Sequence, residues 1–155
     1  MKRPFLILCF SVIYQCSFAQ SQEDAVKAGV NKLFTAMRNA DSAKLISCFT
    51  ETAVMQTITK SNTVRAVSVS EFAGSIARLP ANAADERISF SQIHIDGTLA
   101  SVWTPYRFYF KGQFSHCGVN SFQLINENGT WKIQYIIDTR RKDDCVPEES
   151  VSSPK

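Results

Sequence analysis

Histidine is scarce in this chain of 155 residues, which has two, and neither stands at metal-ligand spacing from the cysteines, so a zinc site is not supported. The sequence also lacks the Gly-x-Ser-x-Gly, HExxH and phosphate-loop patterns, which removes the activated serine, the zincin helix and the nucleotide cradle, and no cofactor is implied. No apolar run approaches the roughly 20 residues that span a bilayer. The longest, residues 5–14, is about half that length. No internal repeat is evident.

That run sits between Lys2 and Arg3 and a small-residue site, Ser17-Phe18-Ala19, an arrangement that predicts a signal peptide over residues 1–19 with cleavage after Ala19. Leu8 and Gln15 stand where a lipoprotein site before Cys9 or Cys16 needs small residues, which disfavours a lipid anchor and leaves no stable membrane insertion. Loss of Lys2 and Arg3 leaves 15 basic against 14 acidic residues, so the net charge falls from +3 to +1 and nucleic acid is not an expected partner. The product is exported, periplasmic or extracellular. It is long enough for one core over residues 20–145, with 146–155, rich in Ser, Pro and Glu, expected to be a disordered tail.

Three cysteines remain after export, so at most one intramolecular disulfide forms. Cys48 falls on the apolar side of a predicted helix and reads as a small buried hydrophobe. Cys117 and Cys145 are therefore the candidate pair, a bridge that staples the tail to the sheet.

Val26, Val30, Leu33, Phe34 and Met37 recur at helical spacing behind a Ser21/Asp24 capping box and predict an amphipathic helix over 22–38. Asp41 caps a second, short helix carrying Leu45, Ile46 and Phe49, and a short strand follows over 53–58. Ser68 and Glu71 form another capping box ahead of Phe72, Ala73, Ile76 and Leu79, and Pro80 closes that third helix. From Arg87 the period changes from about 3.6 to 2. Strands are predicted over 88–95, 99–110, 115–125 and 131–138, joined by Gly-containing turns that make antiparallel hairpins. Pro105 cannot donate to a ladder and is expected at an edge or bulge, bending the sheet into a concave shape. Asn128-Gly-Thr130 matches a glycosylation sequon, but the Asn-Gly pair reads better as a turn.

Several segments resemble one family. The stretch Phe34-Thr-Ala-Met-Arg-Asn-Ala-Asp-Ser-Ala-Lys-Leu with Phe49-Thr-Glu-Thr-Ala-Val resembles the opening of the nuclear transport factor 2-like superfamily, which includes SnoaL-like and ketosteroid-isomerase-like proteins. Val102-Trp-Thr-Pro-Tyr, His116-Cys-Gly-Val-Asn and Trp131-Lys-Ile resemble its secreted bacterial members of the lumazine-binding type. The resemblance implies an α+β, cystatin-like cone: a curved antiparallel sheet of about four to six strands wrapped over three N-terminal helices, with a pocket open at one end. Such folds host isomerases, dehydratases, transport adaptors and domains with no known activity, so the resemblance does not fix an activity.

Strand parity puts His116 on the inner face with Asn120, Phe122 and Leu124, where it is an acid, a base or a structural hydrogen-bonding group. Asp138 falls with Gln134 and Ile136, opposite Trp131, Ile133 and Tyr135. There it is either a base raised by apolar walls or the partner of Arg107, Arg140 or Arg141. Arg140 could clamp an anionic group, or lie on the surface. Tyr106, Phe108 and Phe110 share one face, and Trp103, Arg107 and Tyr109 the other. His94 reads as structural. The expected pocket is lined by Trp103, Tyr106, Phe108, His116, Asn120, Asp138 and Arg140 and suits a small apolar or aromatic ligand. Two other readings stand beside that one: a cofactor-free isomerase, dehydratase or hydrolase using Asp138 and His116 as its acid/base pair, and a homodimeric interaction module joined through the open sheet face.

Overall fold

A computed structural model describes residues 5–59 and 61–154, with side chains from Gln22 onward. The side chains of the signal segment, its processing site and the Ser21 cap lie outside that description. Helix α1 runs over Phe5–Arg38 and passes through Ser21 without starting there, because the helix-compatible run that precedes 22–38 continues into it. No described helix is long and apolar enough to cross a membrane. Its stripe behaves as patterned: Val26, Val30, Leu33, Phe34 and Met37 are buried, and Phe34 meets Phe122 edge to face at 6.1 Å.

Helix α2 (Ser42–Ser47) is capped by Asp41, whose carboxylate accepts from the Lys44 amide at 3.0 Å. Helix α3 (Val69–Ala77) opens on the reciprocal Ser68/Glu71 box and buries Ala73 and Ile76. Both helices, with α1, supply the apolar lining that the concave sheet face covers.

Seven strands make that sheet: β1 (Phe49–Ile58), β2 (Val64–Val67), β3 (Ala84–Ile88), β4 (Gln92–Asp96), β5 (Leu99–Phe110), β6 (Gln113–Glu127) and β7 (Thr130–Thr139). Their order is β2-β1-β7-β6-β5-β3, with β4 also on β5. The sheet is open and mixed, since β1 runs parallel to β7 while every other pairing is antiparallel. The β6–β7 turn has Asn128 and Gly129 both at positive φ, the twist a two-residue hairpin requires.

The single strand expected over 88–95 is two strands. β3 pairs with Tyr106–Phe110 and β4 with Leu99–Trp103, and the chain steps out between them where Ser89 and Ser91 donate to the carbonyls of Pro105 and Trp103. Pro105 is thus neither at the edge nor in a bulge of its own strand, which pairs with β6 straight through Pro105 and Val119. Its missing N–H falls opposite the gap between β3 and β4, where no ladder bond is lost.

The segment 146–154, expected to be disordered, is instead fastened down. Cys117 and Cys145 form a disulfide, Arg107 donates to the Val146 carbonyl at 2.9 Å, and Ser152 exchanges backbone bonds with Ile88 on the outer edge of β3. Glu148 pairs with Arg87, and the Pro154 carbonyl accepts from Arg38 at the end of α1. Composition alone suggests a solvated tail, but these contacts are all distant in sequence.

A cavity lined by a polar row

Pairing register lines up four buried polar side chains across the concave face: Thr57 on β1, Asp138 on β7, Asn120 on β6 and Thr104 on β5. The neighbouring row, Met55, Ile136, Phe122 and Val102, is apolar. On the other side of the polar row come Tyr106, then His116, Phe108 and Glu86, the last reached because Glu86 pairs with Phe108 at the sheet edge. A cavity of about 450 Å³ opens over these rows, within the range of small-molecule sites. Its apolar walls are Leu33, Phe34 and Met37 of α1 and Phe72 and Ile76 of α3, while Arg65 and Glu71 line it from exposed positions.

Asp138 is held from two directions. Arg140 Nε donates to its Oδ2 at 2.8 Å, and the Tyr106 hydroxyl approaches the same oxygen at 3.2 Å and the Thr139 carbonyl at 2.9 Å. Tyr106 can lie this way because residue 118 is glycine: a Cβ there would sit 1.9 Å from the Thr139 carbonyl oxygen and 2.8 Å from the Tyr106 ring. Burial, reinforced by Glu86 and Asp138, holds the Tyr106 phenol above its usual range, so it remains a donor.

His116 packs against Phe108 at 5.0 Å and Tyr106 at 5.7 Å, and its Nδ1 shares a hydrogen bond with Ser115 Oγ at 3.1 Å. Burial and then the Arg140 charge lower its pKa, so the ring is neutral at pH 7. Asn120 donates to Glu86 Oε1 at 2.8 Å and lies 3.4 Å from Thr104 Oγ1. Burial pushes the Glu86 carboxyl up to about 7; the Asn120 bond opposes this and the Asp138 charge adds to it.

Six of the seven residues expected around a pocket therefore meet here: Tyr106, Phe108, His116, Asn120, Asp138 and Arg140. Trp103 does not. It lies on the convex face between Gln92 and Ser121, 45% exposed, as its parity opposite Tyr106 dictates. Phe110 is exposed at the strand end, Tyr109 is buried on the convex side under the Arg87 guanidinium, and His94 is exposed on β4. Cys48 is a free, buried thiol. Among the described residues no group of three or more His, Cys, Asp or Glu could hold a metal ion.

Asp138 and Ile136 share the concave face with Trp131 and Ile133, which strict alternation sets on the opposite side. Gln123 pairs with Tyr135 but Leu124 with Ile133, so Gln134 is an extra residue and parity flips there. Trp131, Ile133, Ile136 and Asp138 consequently all point inward rather than to opposite sides. Glu86 and Thr57 were not singled out in the sequence. The signal for Glu86 was its phase with Ala84 and Ile88, obscured by the polar Ala-Asp-Glu-Arg context.

An open, mixed, curved sheet packed over three helices, with a cavity between the two, is the architecture of a nuclear transport factor 2-like domain, and solved structures share it. An NTF2-like protein of unknown function from Shewanella baltica OS155 is 16% identical, with a TM-score of 0.64 over 79% of this chain and 96% of that one. A domain of unknown function with a cystatin-like fold from Nostoc punctiforme PCC 73102 is 17% identical, with a TM-score of 0.62 over 83% and 80%. A ketosteroid isomerase-like protein from Erwinia carotovora atroseptica SCRI1043 is 14% identical, with a TM-score of 0.57 over 76% and 94%. Residues 21–135 match the family described as "Putative lumazine-binding", and the chain belongs to that family. No curated protein matches it.

Proposed function

We propose that this chain is an exported small-molecule-binding domain. The observation that carries the reading is the cavity itself: apolar walls from α1 and α3 over a floor with a few convergent polar groups, the usual make-up of a ligand site. The family description adds a ligand type, since lumazine is a planar bicycle with hydrogen-bonding edges, suited to apolar walls above Asn120, Glu86 and Arg140. Export is supported by the basic start, apolar run and Ser17-Phe18-Ala19 site.

Native mass spectrometry of the protein recovered from the secreting host, followed by calorimetric titration with lumazine, tests this. A retained small molecule or saturable binding weakened by Phe72→Asp is expected, on a chain that begins at Gln20. Absence of both a retained ligand and any lumazine binding would remove the reading.

Acid/base catalysis has one specific observation in its favour, and it concerns Glu86 rather than the expected pair. Asp138 is already neutralised by Arg140, whereas the Glu86 carboxyl, at about 7, is poised to exchange a proton near neutral pH.

A further inference from the structure

Two polar groups in the cavity lack a complement. Thr57 is 5% exposed and its Oγ1 has no hydrogen-bond partner among the described residues. Buried hydroxyls without partners are rare in folded proteins, and one that lines a cavity is satisfied by whatever enters it. Glu86 accepts one amide hydrogen bond from Asn120, and among the described residues no basic nitrogen lies within ion-pair distance of it. The two stand on different strands, β1 and β3, lining the same cavity.

The surrounding charges cancel. Asp138 and Arg140, on β7 and just beyond it, form an ion pair; His116 on β6 is neutral and Tyr106 on β5 keeps its proton. On β3 itself, Asp85 is engaged by Arg38 and Arg87, and Arg87 also by Glu148. Arg65 on β2 and Glu71 on α3, one charge of each sign, line the cavity from exposed positions, and Glu71 is held by its Ser68 capping box. Glu86 is left as the unbalanced carboxyl. An anionic ligand would meet it and Asp138 with repulsion, and a ligand without N–H donors would leave the ionised Glu86 with Asn120 as its one hydrogen-bond donor, whereas the Thr57 hydroxyl can donate or accept.

We infer that the cavity is built for a ligand carrying a positively charged nitrogen group on an apolar body, such as an amine, an amidine or a protonated N-heterocycle, with Glu86 as its counter-charge and Thr57 Oγ1 as an acceptor. This rests on the small-molecule-binding function proposed above, not on lumazine itself, which is uncharged near neutral pH, and it assigns the ligand a charge class. The free carboxyl holds its proton up to about pH 7, and a bound cation favours its ionised form. Binding below that pH therefore releases the Glu86 proton to solvent. Affinity rises with pH through about 7 and levels off above it.

Three probes with one naphthalene body separate the outcomes: 2-(aminomethyl)naphthalene, 2-naphthamide and 2-naphthoate, titrated calorimetrically at pH 6 and pH 8 in buffers of different ionisation heat. The amine is expected to bind about tenfold or more tighter than the amide, with naphthoate weakest, and to release close to one proton at pH 6. Glu86→Gln is expected to abolish both the preference and the proton release while still binding the amide, and Thr57→Val to weaken the amine severalfold. Equal or better binding of amide or naphthoate, or a preference that survives Glu86→Gln, overturns the inference and leaves small-molecule binding standing. Failure of all three probes on protein that retains a ligand or binds lumazine overturns the inference alone; failure of the probes together with the absence of both removes the binding reading as well.

Discussion

Asn120 donates its side-chain amide to Glu86 across 2.8 Å, tying the middle of the sheet to its edge strand. The bond stabilises the carboxylate form of Glu86, yet burial outweighs it and the carboxyl stays protonated well above its ordinary value near 4.5. One amide hydrogen bond cannot replace the lost hydration of a charge.

Stability should therefore fall as pH rises from about 4.5 to about 7 through this group, because the folded state retains a proton that the unfolded chain gives up. At about 1.4 kcal/mol per pKa unit, the ionised form costs on the order of 3 kcal/mol by pH 8. Glu86→Gln, which carries no charge to desolvate, is expected to exceed the parent by up to that amount at pH 8 and to match it near pH 4. Urea denaturation at both pH values checks this; an equal difference at the two would rule out the linkage.

His116 gives a change of opposite origin. Its lowered pKa means the unfolded chain takes up the proton first as pH falls, so its contribution is complete above the usual histidine range and is lost below it. Proton NMR of the ring resonances should find its midpoint below the ordinary 6.5. A midpoint above that value would place the ring in a solvated, anionic environment that the packing against Tyr106 and Phe108 does not provide.

Gly118→Ala is expected to cost at least about 3 kcal/mol or to prevent folding, since the atom it meets at 1.9 Å is backbone and cannot rotate away. Chemical denaturation measures the loss. A near-neutral result would mean that β6 and the end of β7 separate easily, and that Tyr106 does not need its present position.

Removing the Cys117–Cys145 bridge in a Cys117→Ser/Cys145→Ser protein opens a loop with a sequence separation of 28, for which loop-closure entropy predicts a loss of about 3–4 kcal/mol. Hydrogen exchange should show the change concentrated at Ile88 and the 146–154 segment. Uniform loss of protection instead would show that the bridge supports the whole sheet.

The inner face of β6 was legible in the sequence because β5 and β6 pair without a shift from Leu99–Ile125 through Phe108–His116, so alternation alone orders Asn120, Phe122 and Leu124. The same rule set Asp138 with Ile136 correctly but put both opposite Trp131 and Ile133, because one inserted residue, Gln134, reverses parity and leaves no local mark of its own. β2 escaped notice as four largely exposed residues. The parallel β1–β7 pairing could not be read at all, because alternation says which face a side chain takes and nothing about the strand beside it. The Ser68/Glu71 capping box, the Asp41 cap and the Asn128-Gly129 turn were legible for the converse reason: their bonds close within a few residues.

The strap from Cys145 to Pro154 lies along β3, the strand that carries Glu86, and reaches the end of α1 at Arg38. Sheet edges left bare recruit other strands, and at β3 the strap takes up the edge position through the Ile88–Ser152 bridge. Its one covalent anchor is the Cys117–Cys145 disulfide, which ties the strap's start to β6 rather than to β3 itself. Reduction of that pair would free the near end of the strap and leave Arg107–Val146, Arg87–Glu148, Ile88–Ser152 and Arg38–Pro154 to hold the rest of it against β3, so the covering is a redundant clasp with one covalent tooth.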